Sequence, residues 1–248
     1  PLADILHILP SIQPRYYTIS SSSSLHPKSV HITVSITKFH VNNKKKSDPF
    51  IGLTSKYIEN STNGSKFRAF IRPSSFRLPK KNNTPILMIG PGTGIAPMRA
   101  LLQEREYKHK NSKGKTATDA PKNTLYFGCK YSDVDYIYRD ELEEYVKNTN
   151  TNLTLNTSFS REGKKGVDKI YVQHLMQDTK RSNEIIEDLD NGAYIYVCGA
   201  TAMGSDVHDA LVNILKNHHE KKMTESQAIA YLADLQKKGR YVQELWTA

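Results

Sequence analysis

The sequence predicts two fold classes in succession, a β-rich N-terminal part and a longer α/β part. Within residues 1–80, β-branched and aromatic side chains concentrate at 15–20, 30–36 and 67–71, and no long helical period separates these stretches. Over residues 81–248, short apolar runs alternate with helical patterns. Such an alternation is typical of a parallel sheet with helices on both faces.

The α/β part contains four predicted strands, four predicted helices and a fifth helix near its end. The strands lie at 85–89, 125–129, 153–159 and 193–198, and the helices at 98–107, 140–147, 170–176 and 206–218. Thr224 and Gln227 form a capping box that begins the fifth helix, and Gly239 is placed to end it. The stretch after Gly239 has one conspicuous side chain, Trp246.

The net charge and the composition indicate which kinds of molecule the chain binds. The 248 residues include 35 Lys and Arg against 25 Asp and Glu, which gives a formal net charge of +10 and a pI near 9.4. This excess favours an anionic partner such as a nucleotide, an acidic protein or a membrane surface. No basic stripe is interleaved with aromatic residues, so we expect no nucleic-acid partner.

The cysteines and the apolar runs indicate the cellular compartment in which the chain is found. Cys129 and Cys198 are the two cysteines, and neither has a partner at metal-ligand spacing, which favours a reducing compartment with no disulfide scaffold and no metal. No stretch approaches the roughly 20 apolar residues of a membrane span, and no signal peptide is visible. Because the chain begins at Pro1, we expect a soluble fragment that lacks any anchor of the longer protein.

A glycine-rich segment at 90–97, Gly-Pro-Gly-Thr-Gly-Ile-Ala-Pro, lies between an apolar strand and a helical pattern. In that arrangement, backbone N–H groups and a helix N-terminus can hold a phosphate, and glycines let the anion approach closely. A Walker motif is excluded because no Lys-Ser or Lys-Thr follows Gly94. An ordinary strand-to-helix turn is the alternative, and the three alternate glycines favour nucleotide binding.

Donor side chains follow the third predicted strand. The carboxyl ends of parallel strands meet at one edge of the sheet, where ligands bind. The donors suit a phosphate monoester, and they are Ser160, Arg161, Lys169, Tyr171 and Gln173. No acid stands at the corresponding strand end to bind a free ribose 2′-hydroxyl, which favours NADP over NAD. Cys198 ends the fourth strand, either as a small buried residue or as a chemical group.

Seven motifs occur in a fixed order along nearly the whole chain. They are RYYT at 15–18, GLTS at 52–55, GPGTGIAP at 90–97, SRE at 160–162, KIYVQH at 169–174, YVCG at 196–199 and GRYVQELW at 239–246. With these motifs the chain resembles the C-terminal FAD- and NADPH-binding part of the NADPH–cytochrome P-450 reductases, a family of diflavin reductases. The resemblance implies a ferredoxin-reductase-like module. It would comprise a partial antiparallel FAD-binding β-barrel over 1–80 and a parallel-sheet NADP(H)-binding α/β domain over 81–248.

The resemblance also implies a role for each matching residue. The FAD-binding residues would be Arg15, Tyr16, Tyr17, Thr18, Gly52, Leu53, Thr54 and Ser55. Thr93 would contact the NADPH pyrophosphate, and the 2′-phosphate would be held by Ser160, Arg161, Lys169, Tyr171 and Gln173. The catalytic set would be Thr18 beside flavin N5, Cys198 beside the nicotinamide, Trp246 over the flavin and the acid Glu244.

The function implied is that of an NADPH–haemoprotein reductase. A hydride would pass from NADPH to FAD, and electrons would leave through FMN, on a domain outside this chain, to cytochrome P-450 and other haem proteins. The full-length protein would be anchored at the cytosolic face of the endoplasmic reticulum. Two alternatives stay open: the reductase part of a sulfite reductase flavoprotein or nitric oxide synthase type of enzyme, and an NADP-binding fragment made inactive by truncation.

Four positions depart from the pattern of the family. Thr18 stands where Ser is usual, Lys130 where Arg is common, Ala200 where an acid is usual, and Glu244 where Asp is usual. Thr18 and Glu244 keep the hydroxyl and the charge, whereas Ala200 removes a carboxylate. We therefore expect the local contacts to the nicotinamide to differ from those of the family.

Overall fold

The structure is a computed structural model that describes residues 2–9, 11–40, 48–112, 114, 116, 119–163 and 169–247. The chain divides into two compact units. The first consists of Pro1–Thr18 and Thr33–Phe70, and the second of Ile19–Ile32 and Ile71–Ala248. A boundary near residue 80 between an FAD-binding and an NADP-binding domain stays a prediction.

The first unit contains one small antiparallel sheet and two short helices. In chain order the elements are α1 (Leu2–Ile8), β1 (Lys38–Phe39), β2 (Phe50–Ile51) and α2 (Leu53–Glu59). The two strands are antiparallel, and the rings of Phe39 and Phe50 lie 4.8 Å apart between their centroids. The seven-residue helices α1 and α2 were not predicted.

The strands predicted at 15–20, 30–36 and 67–71 are wrong. Among the described residues, these stretches contain only an isolated antiparallel bridge between Ile19 and Ile32. Their apolar side chains are largely exposed, with Ile71 at 75%. A β-branched residue favours a strand only where a neighbouring strand and a packed face are present. The serine run at 20–24 does lie in a turn, as expected.

The second unit is built on a five-stranded parallel sheet. The strands are β3 (Ile86–Ile89), β4 (Asn123–Cys129), β5 (Leu153–Phe159), β6 (Tyr194–Ala200) and β7 (Tyr241–Trp246). The helices are α3 (Ile95–Lys110), α4 (Arg139–Lys147), α5 (Val172–Met176), α6 (Thr179–Asp190), α7 (Thr201–Asn217) and α8 (Glu225–Lys237). The strand order is β5-β4-β3-β6-β7, and every neighbouring pair is parallel.

Alternating side chains cover both faces of this sheet. On β3, Leu87 and Ile89 pack into one apolar cluster, while Ile86 and Met88 pack into the other. All four are at most 1% exposed. A strand buried on both faces appears in the sequence as a continuous apolar run, which is why β3 could be predicted. The predicted fold class, a ferredoxin-reductase-like module with a β part followed by a parallel-sheet α/β domain, is confirmed. Of the partial antiparallel barrel that was predicted, the described residues form the two-stranded sheet β1–β2.

Two elements of the second unit were not predicted, and one begins earlier than expected. The helix α6 has only three apolar residues, Ile185, Ile186 and Leu189, and all three are buried. The strand β7 pairs only with β6 at the edge of the sheet. Helix α7 begins at Thr201, five residues before the predicted start at 206. The capping box of α8 is confirmed, since Thr224 Oγ1 and Gln227 Oε1 each accept from the other residue's backbone N–H.

The glycine-rich segment forms a tight link from β3 into α3. Gly92–Gly94 is a 3₁₀ turn, and Gly92 has a φ of +55°. A Cβ added at Gly94 would lie 2.0 Å from the carbonyl oxygen of Cys198. A Cβ added at Gly90 would lie 2.4 Å from the carbonyl oxygen of Gly94. The glycines therefore let the start of α3 pack directly against the end of β6.

The substitution Gly94→Ala should lower the stability of the second unit by at least about 2 kcal/mol, since a backbone carbonyl cannot move aside like a flexible side chain. Urea unfolding can be followed by the fluorescence of Trp246, the single tryptophan. Gly163→Ala is the matched control, because its added Cβ meets nothing within 4 Å, and its effect should stay within about 0.5 kcal/mol. Equal unfolding midpoints for the two variants would contradict the close approach at Gly94.

Candidate functional site

The strand order creates a crevice at the carboxyl edge of the sheet. From β3 the chain moves outward through β4 and β5, and it then returns to the other side of β3 at β6. A parallel sheet binds ligands at such a switch point, outside the carboxyl ends of the strands. The glycine turn lies there, with Gly94 against the end of β6.

A cleft of about 480 Å³ occupies this edge of the second unit. A volume of this size is within the usual range of small-molecule sites. Its polar lining comes from several elements: Thr93, Lys130, Ser158, Ser160, Tyr171, Gln173 and Asp206. The ring of Trp246 and the side chain of Met203 supply apolar surface. The cleft thus combines hydroxyl, amide and ammonium groups with an indole.

The predicted donor cluster is brought together in part. Ser160, Tyr171 and Gln173 line the cleft, whereas Arg161 and Lys169 are exposed and are not among the residues that line it. The five residues fall on the loop after β5 and on the start of α5, where the sequence places them.

Backbone contacts extend the pairing of β4 and β5 beyond the strands. Ser160 N–H donates to the carbonyl of Cys129 at 2.9 Å, and Arg161 N–H donates to that of Lys130 at 3.0 Å. The carboxylate of Glu162 accepts from the backbone N–H of Ser132. This contact lowers the pKa of Glu162. Lys130 and Arg161 are therefore held as neighbours on adjacent strand ends, which concentrates positive charge beside the cleft.

Glu244 anchors a loop to the edge strand β7. Its Oε1 accepts from Ser74 Oγ at 2.5 Å, from Ser75 N–H at 3.1 Å and from Ser75 Oγ at 3.3 Å. Trp246 follows two residues later and is 40% exposed. Glu244 thereby fixes the strand that carries the indole.

Cys198 is completely buried in β6 and lies in the apolar cluster on one face of the sheet. It pairs in register with Glu244, and Ala200 pairs with Trp246. Cys198 is not among the residues that line the cleft, whereas Ala200 is. A ligand in the cleft therefore meets the strand end at Ala200 first.

The residues expected to bind FAD lie in the first unit. Arg15 Nη1 donates to the carbonyl of Gln13 at 2.5 Å, and the ring of Tyr16 meets that of Phe70 edge-on. Tyr17 and Thr18 are half-buried.

The GLTS motif of the first unit forms the start of α2. Gly52 precedes this helix, which begins with Leu53 and Thr54, and Ser55 Oγ donates to the carbonyl of Gly52 at 3.2 Å. A Cβ added at Gly52 would lie 2.7 Å from Ser55 Oγ and 2.9 Å from Thr37 Cβ. Glycine is therefore required here for packing.

Comparisons with known proteins agree with this geometry. An FAD binding domain profile matches residues 1–57, and an oxidoreductase NAD-binding domain profile matches residues 88–209. NADPH–cytochrome P450 reductases are 40% identical in Musca domestica, 40% in Drosophila melanogaster and 37% in Homo sapiens, over 252, 253 and 253 residues. The whole chain is thus similar to part of the NADPH–cytochrome P450 reductases, and it contains an FAD binding domain and an oxidoreductase NAD-binding domain.

The alignments cover 100% of this chain and 35% of each reductase, so the chain spans about a third of the length of these relatives. The family and the two profiles indicate FAD and NADPH as the cofactors, as expected from the sequence. No described helix is long and apolar enough to cross a membrane.

Two cleft residues escaped the sequence analysis. Asp206 was predicted to lie at the start of a helix, but it belongs to the second turn of α7 and points its carboxylate at Gln173. Ser158 lies within β5, one side chain before the predicted strand end. The alternation of β5 carries the signal for Ser158, since it shares a face with Ser160. A helix predicted to begin at Thr201 would have placed Asp206 in its second turn.

The thiol of Cys129 lines the cleft and should react slowly. Burial, together with the carboxylates of Asp135 and Glu162, raises its pKa to about 11 despite the opposing guanidinium of Arg139. Only the thiolate is nucleophilic, so alkylation should accelerate about tenfold per pH unit from pH 7 to 9.5 without levelling. Mass spectrometry after timed iodoacetamide exposure measures this rate, with Cys129→Ser as control. A plateau near pH 8.5 would contradict the raised pKa.

Proposed function

We propose that this chain is the FAD- and NADPH-binding part of an NADPH-dependent haemoprotein reductase. Residues 1–80 form the FAD-binding domain, and residues 81–248 form the NADP-binding domain. The observation that carries the proposal is the cleft at the switch point of the sheet, where Thr93, Tyr171 and Trp246 converge. A hydride passes from NADPH to FAD, and electrons continue through an FMN domain to a haem protein such as cytochrome P-450.

The cleft fits the anionic nucleotide. Gly92 lines the cleft without a Cβ and leaves room for a pyrophosphate at the backbone of the turn, and Thr93 adds a hydroxyl beside it. Ser160, Tyr171 and Gln173 hold the 2′-phosphate end, with charge from Arg161 and Lys169. Arg161 supplies a bidentate grip and Lys169 a point charge. The pairing of the β4 and β5 ends positions Arg161 for this role.

The first unit fits a second anionic cofactor. Arg15 supplies a cation near the pyrophosphate of FAD, and Leu53, Thr54 and Ser55 present backbone N–H groups to it from the start of α2. The flavin-facing side chains are Tyr16, Tyr17 and Thr18. The flavin supplies the redox chemistry, and the protein orients it and tunes its reactive nitrogen. The Thr18 hydroxyl is the tuning group in this proposal.

Four residues form the catalytic set of the proposal. Trp246 excludes water from the reacting rings, and its indole must move aside for the nicotinamide. Glu244 holds β7 through Ser74 and so fixes where Trp246 lies. Cys198 gives β6 a small, fully buried side chain two residues before Ala200, which lines the cleft. Thr18, the fourth residue, is proposed as the group that tunes the flavin.

The partners of the whole protein follow from the family. The relatives are named as reductases of cytochrome P450, and we extend that acceptor, together with other haem proteins, to the protein that contains this chain. Contact with a membrane comes through an anchor outside this chain, on the cytosolic face of the endoplasmic reticulum. The net charge of +10 suits docking to an acidic FMN domain. Nucleic acid is not a partner in this proposal.

A visible absorption spectrum of the purified chain, recorded with and without NADPH in the absence of oxygen, tests the central reaction. A flavin band that bleaches with NADPH, and much less with NADH, is the expected result. A colourless chain that still binds a 2′-phosphate affinity matrix would mean an NADP-binding fragment without the flavin. A chain that binds neither would refute the proposal.

Removal of the guanidinium at Arg161 should weaken the 2′-phosphate site selectively. Arg161→Ala should lower the affinity for adenosine 2′,5′-bisphosphate by about tenfold to a hundredfold, because a charge-assisted hydrogen bond is lost. The affinity for adenosine 5′-diphosphate should not change. Calorimetric titration measures both. Lys180→Ala is the control, since Lys180 is 85% exposed on α6. An equal loss for both nucleotides would contradict the assignment of Arg161.

The substitution Trp246→Ala should reduce the preference for NADPH over NADH by about tenfold in kcat/KM. The nicotinamide has to displace the indole, and the binding energy of the 2′-phosphate, which NADH lacks, helps to drive that displacement. Without the indole, this advantage of NADPH over NADH becomes smaller. Ferricyanide reduction by the chain supplemented with FAD measures both substrates. An unchanged preference would remove the main support for shielding by Trp246.

A further inference from the structure

A second cavity lies at the amino edge of the parallel sheet, at the opposite ends of the strands from the cleft. Its walls come from the segments that precede β3 and β4 and from the C-terminal half of α3. Its volume is about 20 Å³, and a single buried water needs roughly 10–15 Å³. The cavity therefore admits only a very small ligand, and it shares no lining residue with the cleft.

Arg105 on α3 brings an unusual group to this cavity, because the residue is only 6% exposed. Its Nη2 donates to the carbonyl of Thr84 at 2.9 Å and to that of Asn82 at 3.3 Å. Its Nε is buried and has no hydrogen-bond partner among the described residues. A buried donor without an acceptor is unfavourable, so this N–H calls for a ligand that accepts a hydrogen bond.

The charge of Arg105 also lacks a counterion among the described residues. Burial lowers the pKa of its guanidinium to about 10, and the only described group that opposes this shift is the hydroxyl of Tyr196. Asp119 lines the cavity, but its Oδ2 accepts from the N–H and from Oγ1 of Thr116, at 2.9 and 2.8 Å. At neutral pH Arg105 is still charged, and a buried charge without a partner is costly.

The other polar groups of the wall favour an anion over a cation. Lys108 adds an ammonium group, which Glu104 Oε1 contacts at 3.0 Å. The side-chain amides of Asn82 and Asn83 can donate hydrogen bonds. A water molecule would accept from Arg105 Nε but would leave the charge uncompensated. A small anion accepts the same hydrogen bond and also compensates the charge.

We propose that this cavity binds a small monovalent inorganic anion, which accepts from Arg105 Nε and compensates the buried guanidinium. Chloride is the probe of this class that suits the volume of the cavity. The bound anion joins α3 to the segments before β3 and β4, so it stabilises the second unit. The site is separate from the nucleotide cleft and does not depend on the proposed function.

Thermal unfolding of the full chain tests this site. At equal ionic strength, sodium chloride should raise the melting temperature above that in sodium gluconate by about 3–6 °C, once chloride exceeds its Kd about tenfold. Gluconate is too large for the cavity. Arg105→Met should melt at the same temperature in both salts, because the donor and the buried charge are gone. Equal melting temperatures of the unmodified chain in the two salts would overturn the inference.

A second variant keeps the inference testable if Arg105→Met does not fold. Asn83→Asp places a carboxylate on the cavity wall with the shape of the amide that it replaces. It should weaken chloride binding at least about tenfold, since its charge repels the anion and takes its place beside the guanidinium. Asn183→Asp is the matched control, because Asn183 is exposed on α6 and does not line the cavity.

The line width of the chloride NMR signal measures binding to each folded variant. The unmodified chain and Asn183→Asp should broaden the signal equally, and Asn83→Asp should broaden it far less at the same chloride concentration. Weak binding elsewhere on the surface contributes equally to both variants, so their difference reports on the cavity. Equal broadening by the two Asn variants would place the anion elsewhere and overturn the inference.

Discussion

The close approach of Gly94 to the carbonyl of Cys198 is the constraint on which the nucleotide site depends. Without a side chain at Gly94, the start of α3 reaches the end of β6. The same turn lines the cleft with Gly92 and Thr93, beside the polar ends of β4 and β5. One backbone contact therefore links the packing of the sheet to the place where a phosphate can bind.

The rest of the second unit keeps that edge rigid. Two apolar clusters cover the sheet, so that β3 is buried on both faces. Beyond the strands, Glu162 ties the β5 end to Ser132, and Glu244 ties β7 to Ser74 and Ser75. Both carboxylates belong to motifs that mark the family, and each of them fixes a loop. Some functional motif residues therefore act by holding others in position.

Strands could be predicted from the sequence where burial imposes a regular pattern on the side chains. The central strand β3 and the full span of β5 could be predicted because continuous apolar or alternating runs are specific. The predicted strands at 15–20 and 67–71 failed because β-branched composition does not provide a pairing partner. The edge strand β7 was missed because its sequence, YVQELW, is neither a continuous apolar run nor a regular alternation. Asp206 was missed because its contact with Gln173 joins two helices, and spacing along the chain does not reveal such a contact.

The strand β7 follows every other strand of its sheet in the chain, and it brings Trp246 to the cleft. During synthesis on a ribosome, the glycine turn and the polar strand ends would emerge and could pack before the indole is present. A nascent chain at that stage would have a nucleotide edge without its aromatic wall. Because of this order, the phosphate-binding side of the cleft is synthesised first. The residue that shields the cleft is added later.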